Sequence, residues 1–123
     1  MLEERDPQTY AIIGACYAVH AEKGCGFFEP VYQECLAIEC ELREIPFERE
    51  LAIDLYYKGR LLGKKYIADF VCFAEVLVEL KAVQALEDCH SSQVINYLKA
   101  SGLQKALLVN FGRTSLEFKR FVN

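Results

Sequence analysis

The hydrophobic pattern changes period near Pro46, and this change constrains the fold more than any other feature of the chain. Up to Arg43 apolar residues recur at helical spacing, whereas from Phe47 they alternate as in strands that face a core. Asp6-Pro7 reads as a helix N-cap followed by Pro at the first helical position. Ile12, Ile13, Cys16, Tyr17 and Val19 then predict a helix over residues 7–22, broken by Gly24-Cys25-Gly26. Val31, Tyr32, Cys35, Leu36, Ile38 and Leu42 predict a second helix over 29–43, which must stop ahead of Pro46.

Leu51, Ile53 and Leu55 alternate with Ala52, Asp54 and Tyr56, and Lys58-Gly59 predicts a hairpin turn. Strands over 60–73 and 76–82, joined by a short link at Ala74-Glu75, extend this into an antiparallel meander. A helix over 89–101 closed by Gly102, a strand over 105–110, a turn at Gly112-Arg113 and a last strand over 116–122 follow. The order α-α-β-β-β-α-β-β, with no repeat or linker, predicts a single α/β domain over 1–123 with a mixed sheet. A chain of 123 residues buries about two-thirds of its unfolded surface, enough for a core without disulfide or metal staples.

Charge narrows the partners. The chain has 14 Lys and Arg against 18 Asp and Glu, a net of −4, which argues against a basic nucleic-acid coat. The halves differ, however: residues 1–56 carry 12 acids and 4 bases, and residues 57–123 carry 6 acids and 10 bases. The acidic start at residues 1–7 has no apolar run behind it and does not resemble a signal peptide. The longest stretch without a formal charge, 7–21, has 15 residues, short of the ~20 apolar residues a membrane span needs. The six cysteines, at 16, 25, 35, 40, 72 and 89, form no CxxC pair, which argues against structural zinc and for buried free thiols in a reducing cytoplasm.

Two charges interrupt the apolar run Val76-Leu77-Val78-Glu79-Leu80-Lys81-Ala82. In a strand Glu79 and Lys81 share one face, and burying them costs several kcal/mol unless they pair or bind something. The preceding strand, Tyr66-Ile67-Ala68-Asp69-Phe70-Val71-Cys72, also carries one acid among apolar residues. In a meander Asp69 lies next to Glu79. Two neighbouring carboxylates repel, and a divalent cation relieves that repulsion. Mg²⁺ or Mn²⁺ suits such an oxygen-rich pair, and a lysine two residues along can offset phosphate charge or orient an attacking water. An ion pair on a solvated sheet face is the alternative for Glu79 and Lys81.

Four ordered segments resemble a known family. Gly26-Phe27-Phe28-Glu29-Pro30-Val31-Tyr32 reads GxxExxY. It is followed by Ala68-Asp69, by Glu79-Leu80-Lys81-Ala82-Val83, and by His90-Ser91-Ser92-Gln93-Val94-Ile95-Asn96-Tyr97-Leu98-Lys99. Together they are similar to the GxxExxY proteins of the PD-(D/E)XK nuclease-like superfamily, from about Ile12 to Asn123. The resemblance implies a restriction-endonuclease-like α-β-β-β-α-β core with a mixed central sheet flanked by helices. It implies that Asp69 and Glu79 hold a divalent metal, usually Mg²⁺, that Lys81 assists the hydrolytic water, that Glu29 completes the metal shell and that Gln93 supports it. Members of the family often carry Arg two residues before the Asp, where this chain has Ile67.

Spacing places Glu29 and Tyr32 on one helix face, and Gln93 and Tyr97 on another with His90 a turn earlier. Tyr32 and Tyr97 fit either core packing with a partnered hydroxyl or support of the site. His90 fits either a polar helix N-terminus or site support. The expected function is metal-dependent hydrolysis of nucleic acid, DNA in the first instance, with weak binding that depends on the metal. Lys58, Arg60, Lys64 and Lys65 near the first hairpin are the candidate phosphate contacts, or else solvated, edge-protecting cations. The alternative is a catalytically silent nuclease-fold module that binds protein or nucleic acid. The apolar last strand (Leu116, Phe118, Phe121), placed at a sheet edge, also suits a homodimer.

Overall fold

A computed structural model describes residues 6–123; residues 1–5, and most of the acidic start of the chain with them, lie outside the described residues. Helix α1 (Pro7–Lys23) begins with Pro at its first turn and stops at Gly24, whose φ of 66° few other residues adopt and whose N–H bonds to His20 O at 2.8 Å. Helix α2 (Glu29–Leu42) is followed by strands β1 (Phe47–Tyr57), β2 (Arg60–Cys72) and β3 (Val76–Lys81). Helix α3 (Asp88–Ser101), β4 (Lys105–Asn110) and β5 (Glu117–Val122) complete the chain.

The five strands form one sheet in the order β1-β2-β3-β4-β5. All neighbours are antiparallel except β3 and β4, which run parallel. A parallel pair cannot be joined by a hairpin, so α3 serves as the crossover. On one face α1 and α2 bring Ile12, Cys16, Tyr32, Leu36 and Cys40 against Phe70, Val78, Leu80, Leu107, Val109 and Phe111. On the other, Val94 and Leu98 of α3 cover Ala68, Leu77, Ala106 and Leu108. Each fully buried Leu or Phe contributes roughly 1.5–3 kcal/mol, so strand β3, covered on both faces, anchors the fold. Every residue of β3 except Lys81 is buried, and this is where Glu79 sits.

Strands β1 and β2 pair along nearly their whole length, but β3 meets only Phe70, Val71 and Cys72 of β2. The rest of the β1–β2 ribbon reaches past the sheet to a turn with positive φ at Lys58 (49°) and Gly59 (77°), the geometry a two-residue hairpin demands. The tight β2–β3 link holds two non-glycine residues, Phe73 and Ala74, at φ of 56° and 57°. Phe73 packs on the core, whereas Ala74 is exposed. Ala74→Gly is therefore expected to raise stability by up to about 1 kcal/mol, measured by urea melts, because glycine carries no Cβ penalty there.

Strand β5 is a sheet edge, as expected, but its aromatics are engaged within the chain: Phe118 meets Tyr17 edge-on at 6.3 Å, and Phe121 packs in the α3-side core. The cysteines are all free, with Cys16, Cys40 and Cys72 buried and Cys35 partly so. Cys25 and Cys89 are exposed, which corrects the expectation of uniformly buried thiols: both lie outside the packed helix faces, in the α1–α2 loop and the first turn of α3. Among the described residues no helix is long and apolar enough to cross a membrane.

Candidate metal centre

Strands β2 and β3 part company just beyond Phe70 and Val78, and two carboxylates replace the missing ladder bonds. The backbone N–H of Leu80 donates to Asp69 Oδ2 at 2.9 Å, and that of Asp69 donates to Glu79 Oε1 at 3.3 Å. Each acid thus satisfies an amide of the opposite strand, which fixes both carboxylates at the fork. Asp69 also accepts from Gln33 Nε2 at 3.1 Å, and the same nitrogen reaches Glu29 Oε1 at 3.4 Å. Gln33, one turn after Glu29 on α2, therefore links the helix acid to the strand acid.

The charges of this cluster strain one another. Burial pushes the Glu79 carboxyl up to about 7, reinforced by the Glu29 charge and opposed by the Asp69 N–H and the Lys81 ammonium. Asp69 is raised by burial, against the Leu80 amide, the charge of Lys81, Gln33 and the charge of Arg49. Glu29 is raised by burial and then by Asp69, with Lys81 opposing. All three acids thus hold their protons more tightly than usual despite a nearby lysine. Lys81 Nζ lies 3.5 Å from Gln93 Oε1, so α3 steadies the ammonium.

Among the described residues no three His, Cys, Asp or Glu side chains gather closely enough to enclose an ion by themselves. The residues nonetheless fit Mg²⁺ or Mn²⁺. Glu79 is 7% exposed with one backbone partner at 3.3 Å, and beside it stands a second hard oxygen donor. Mg²⁺ is held through one or two carboxylates and keeps several of its waters.

The other candidates divide. Tyr97 faces the site: burial and the charges of Glu79 and Asp69 raise its phenol, and its ring stacks on Tyr66 at 3.3 Å. Tyr32 is a buried prop of the α1–α2 loop. Its ring stacks on Phe111 at 4.7 Å, and its hydroxyl donates to Gly24 O at 2.7 Å and accepts from Phe27 N–H at 3.3 Å. His90 caps α3, its Nδ1 accepting the Glu87 N–H at 2.9 Å. Lys58, Arg60, Lys64 and Lys65 are exposed on the ribbon. Lys65 is ion-paired with Asp54, and Lys58 lies over the Tyr57 ring at 5.5 Å.

Gln33 and Arg49 are additions that sequence reasoning missed. The four-residue spacing from Glu29 was the only signal for Gln33. Arg49, paired in register with Phe70 on β2 and 5.7 Å from its ring, lies within electrostatic reach of Asp69. A groove of about 910 Å³ between β1 and the end of α3 contains none of these residues.

Comparison with known proteins bears on the fold and the family. No curated protein matches the chain. The crystal structure of SSO0001 superposes with a TM-score of 0.61 at 16% identity, over 77% of this chain and 50% of that one, a likeness of fold. The chain therefore spans half the length of that structure. A family model described as the PD-(D/E)XK nuclease superfamily matches residues 6–121, and the chain belongs to that superfamily.

Proposed function

We propose that the chain hydrolyses phosphodiester bonds of nucleic acid, DNA in the first instance, using Mg²⁺ or Mn²⁺ held by Asp69 and Glu79. The observation that carries this reading is the fork itself, where two carboxylates with raised proton affinity meet beside Lys81. A cation bound there supplies Lewis-acid neutralisation of the charge that develops on the phosphate oxygens.

The chain's own residues do the rest. Asp69 and Glu79 ionise to form the donor pair, and Glu29 is tied to that pair through Gln33. Lys81, steadied by Gln93, keeps a fixed ammonium beside the reacting phosphate, where it stabilises growing negative charge without reorganisation. Arg49 and the ribbon cations Lys58, Arg60, Lys64 and Lys65 contact flanking phosphates. With Lys65 already on Asp54, that grip is weak and salt-sensitive. The Gly26, Glu29, Tyr32 spacing supports a place among the GxxExxY proteins, since Tyr32 pins the loop that precedes Glu29.

The test is incubation of the purified chain with supercoiled, linear and single-stranded DNA and with RNA, in Mg²⁺, Mn²⁺ or EDTA. Cleavage is expected with either metal, none with EDTA and none from Lys81→Ala. If no substrate is cut and calorimetry finds no Mg²⁺ binding, the chain is instead a silent module of the same fold.

A further inference from the structure

Among the described residues Phe28 is the most exposed of the large apolar side chains, at 85%. It is also the N-cap of α2, directly before Glu29. The loop that presents it is fixed from below. Tyr32 OH holds Gly24 O and Phe27 N–H, the Phe27 ring meets Tyr32 edge-on at 6.2 Å, and the Lys23 ammonium lies 4.7 Å over Phe27. The Phe28 carbonyl accepts the Val31 N–H at 3.0 Å. Phe27 is thus held in place, whereas Phe28 projects a free ring into water from a fixed backbone, beside the acid that borders the metal centre.

Charge points to what covers that ring. A duplex grip rests on many Lys and Arg contacts to phosphate, and this chain has a net charge of −4 with Lys65 already paired to Asp54. An unpaired base offers a flat apolar face, and stacking on an aromatic side chain adds to the weak grip of the phosphate contacts an affinity that a closed duplex cannot gain. We infer that Phe28 is a stacking surface for an unpaired base adjoining the phosphate at Asp69 and Glu79, which makes single-stranded or locally unpaired nucleic acid the substrate class. This rests on the nuclease reading above.

The chain contains no Trp, so Phe28→Trp introduces a single reporter at this position. In Mg²⁺ its emission is expected to be quenched by a single-stranded oligonucleotide and left unchanged by the same sequence as duplex. Phe28→Ala, which removes no buried packing, is expected to keep its melting temperature and to weaken single-strand binding by about tenfold, with the loss in KM and recovery in Phe28→Tyr. Unchanged tryptophan emission while anisotropy reports a bound single strand would overturn the stacking role and leave the nuclease reading standing. So would Phe28→Ala binding as the parent does, or equal quenching by duplex. If the parent chain neither binds nor cuts any nucleic acid, both readings fall together.

Discussion

Glu79→Gln is expected to raise the melting temperature of the metal-free protein by roughly 10 °C at pH 8 and to abolish the further rise caused by Mg²⁺. Glu79 is an acid whose affinity for its proton is higher in the folded chain, about 7 against an ordinary 4.5. Between those values the native state binds more protons than the unfolded state, so stability falls as pH rises. The fall begins near 4.5, is complete above 7 and amounts to something on the order of 3 kcal/mol. Asp69 and Glu29, raised as well, act in the same direction.

Glutamine is neutral throughout and keeps an oxygen for the Asp69 N–H, so the variant escapes that fall. It should match the parent near pH 4.5 and exceed it at pH 8. On the proposed reading it is the ionised pair that would hold a cation, so Mg²⁺ should stabilise the parent strongly at pH 8 and little at pH 5. At one hundred times its dissociation constant the gain is about 2.7 kcal/mol. Thermal melts across pH, with and without Mg²⁺, measure all of this. A parent whose stability is flat from pH 5 to 8 would mean that the fork is relieved by something other than a cation.

This conflict between stability and charge explains why the site was legible in the sequence. Acids in strand interiors are conspicuous against an apolar run, and the short link at Ala74 sets a register in which Asp69 and Glu79 become neighbours by counting. The helix and strand periods were equally plain, so the elements lie within a residue or two of where the pattern puts them. Gln33 and Arg49 were not legible, because one looks like a solvated helix residue and the other sits between Glu48 and Glu50. Their importance comes from what another element brings to them. Asn110 shows the same limit: it reads as the end of an apolar strand, yet it is buried and bonded on every side.

That bonding leads to the other large effect, in which Gly112→Ala is expected to cost more than about 3 kcal/mol, a large share of the roughly 5–15 kcal/mol of a typical domain. A Cβ on Gly112 would stand 2.3 Å from Val83 O, 2.5 Å from Val83 N and 2.7 Å from Ala82 C. These are backbone atoms, and they cannot move aside as a flexible side chain does. Asn110 holds Val83 in place, with its Oδ1 accepting the Val83 N–H at 2.9 Å and its Nδ2 donating to Val83 O at 2.9 Å. The Gly112 N–H donates to the same Oδ1 at 3.0 Å, and Phe111 N–H donates to Lys81 O at 2.8 Å. Moving Gly112 away from Val83 therefore breaks several buried hydrogen bonds and drags the backbone of Lys81, so any protein that still folds should lose cleavage as well. Gly63→Ala is the control, because its Cβ meets nothing within 4 Å and its φ is not positive. Urea melts should place Gly63→Ala at or above the parent and Gly112→Ala far below it, and coincident curves for the two variants would show that the Val83 segment yields freely.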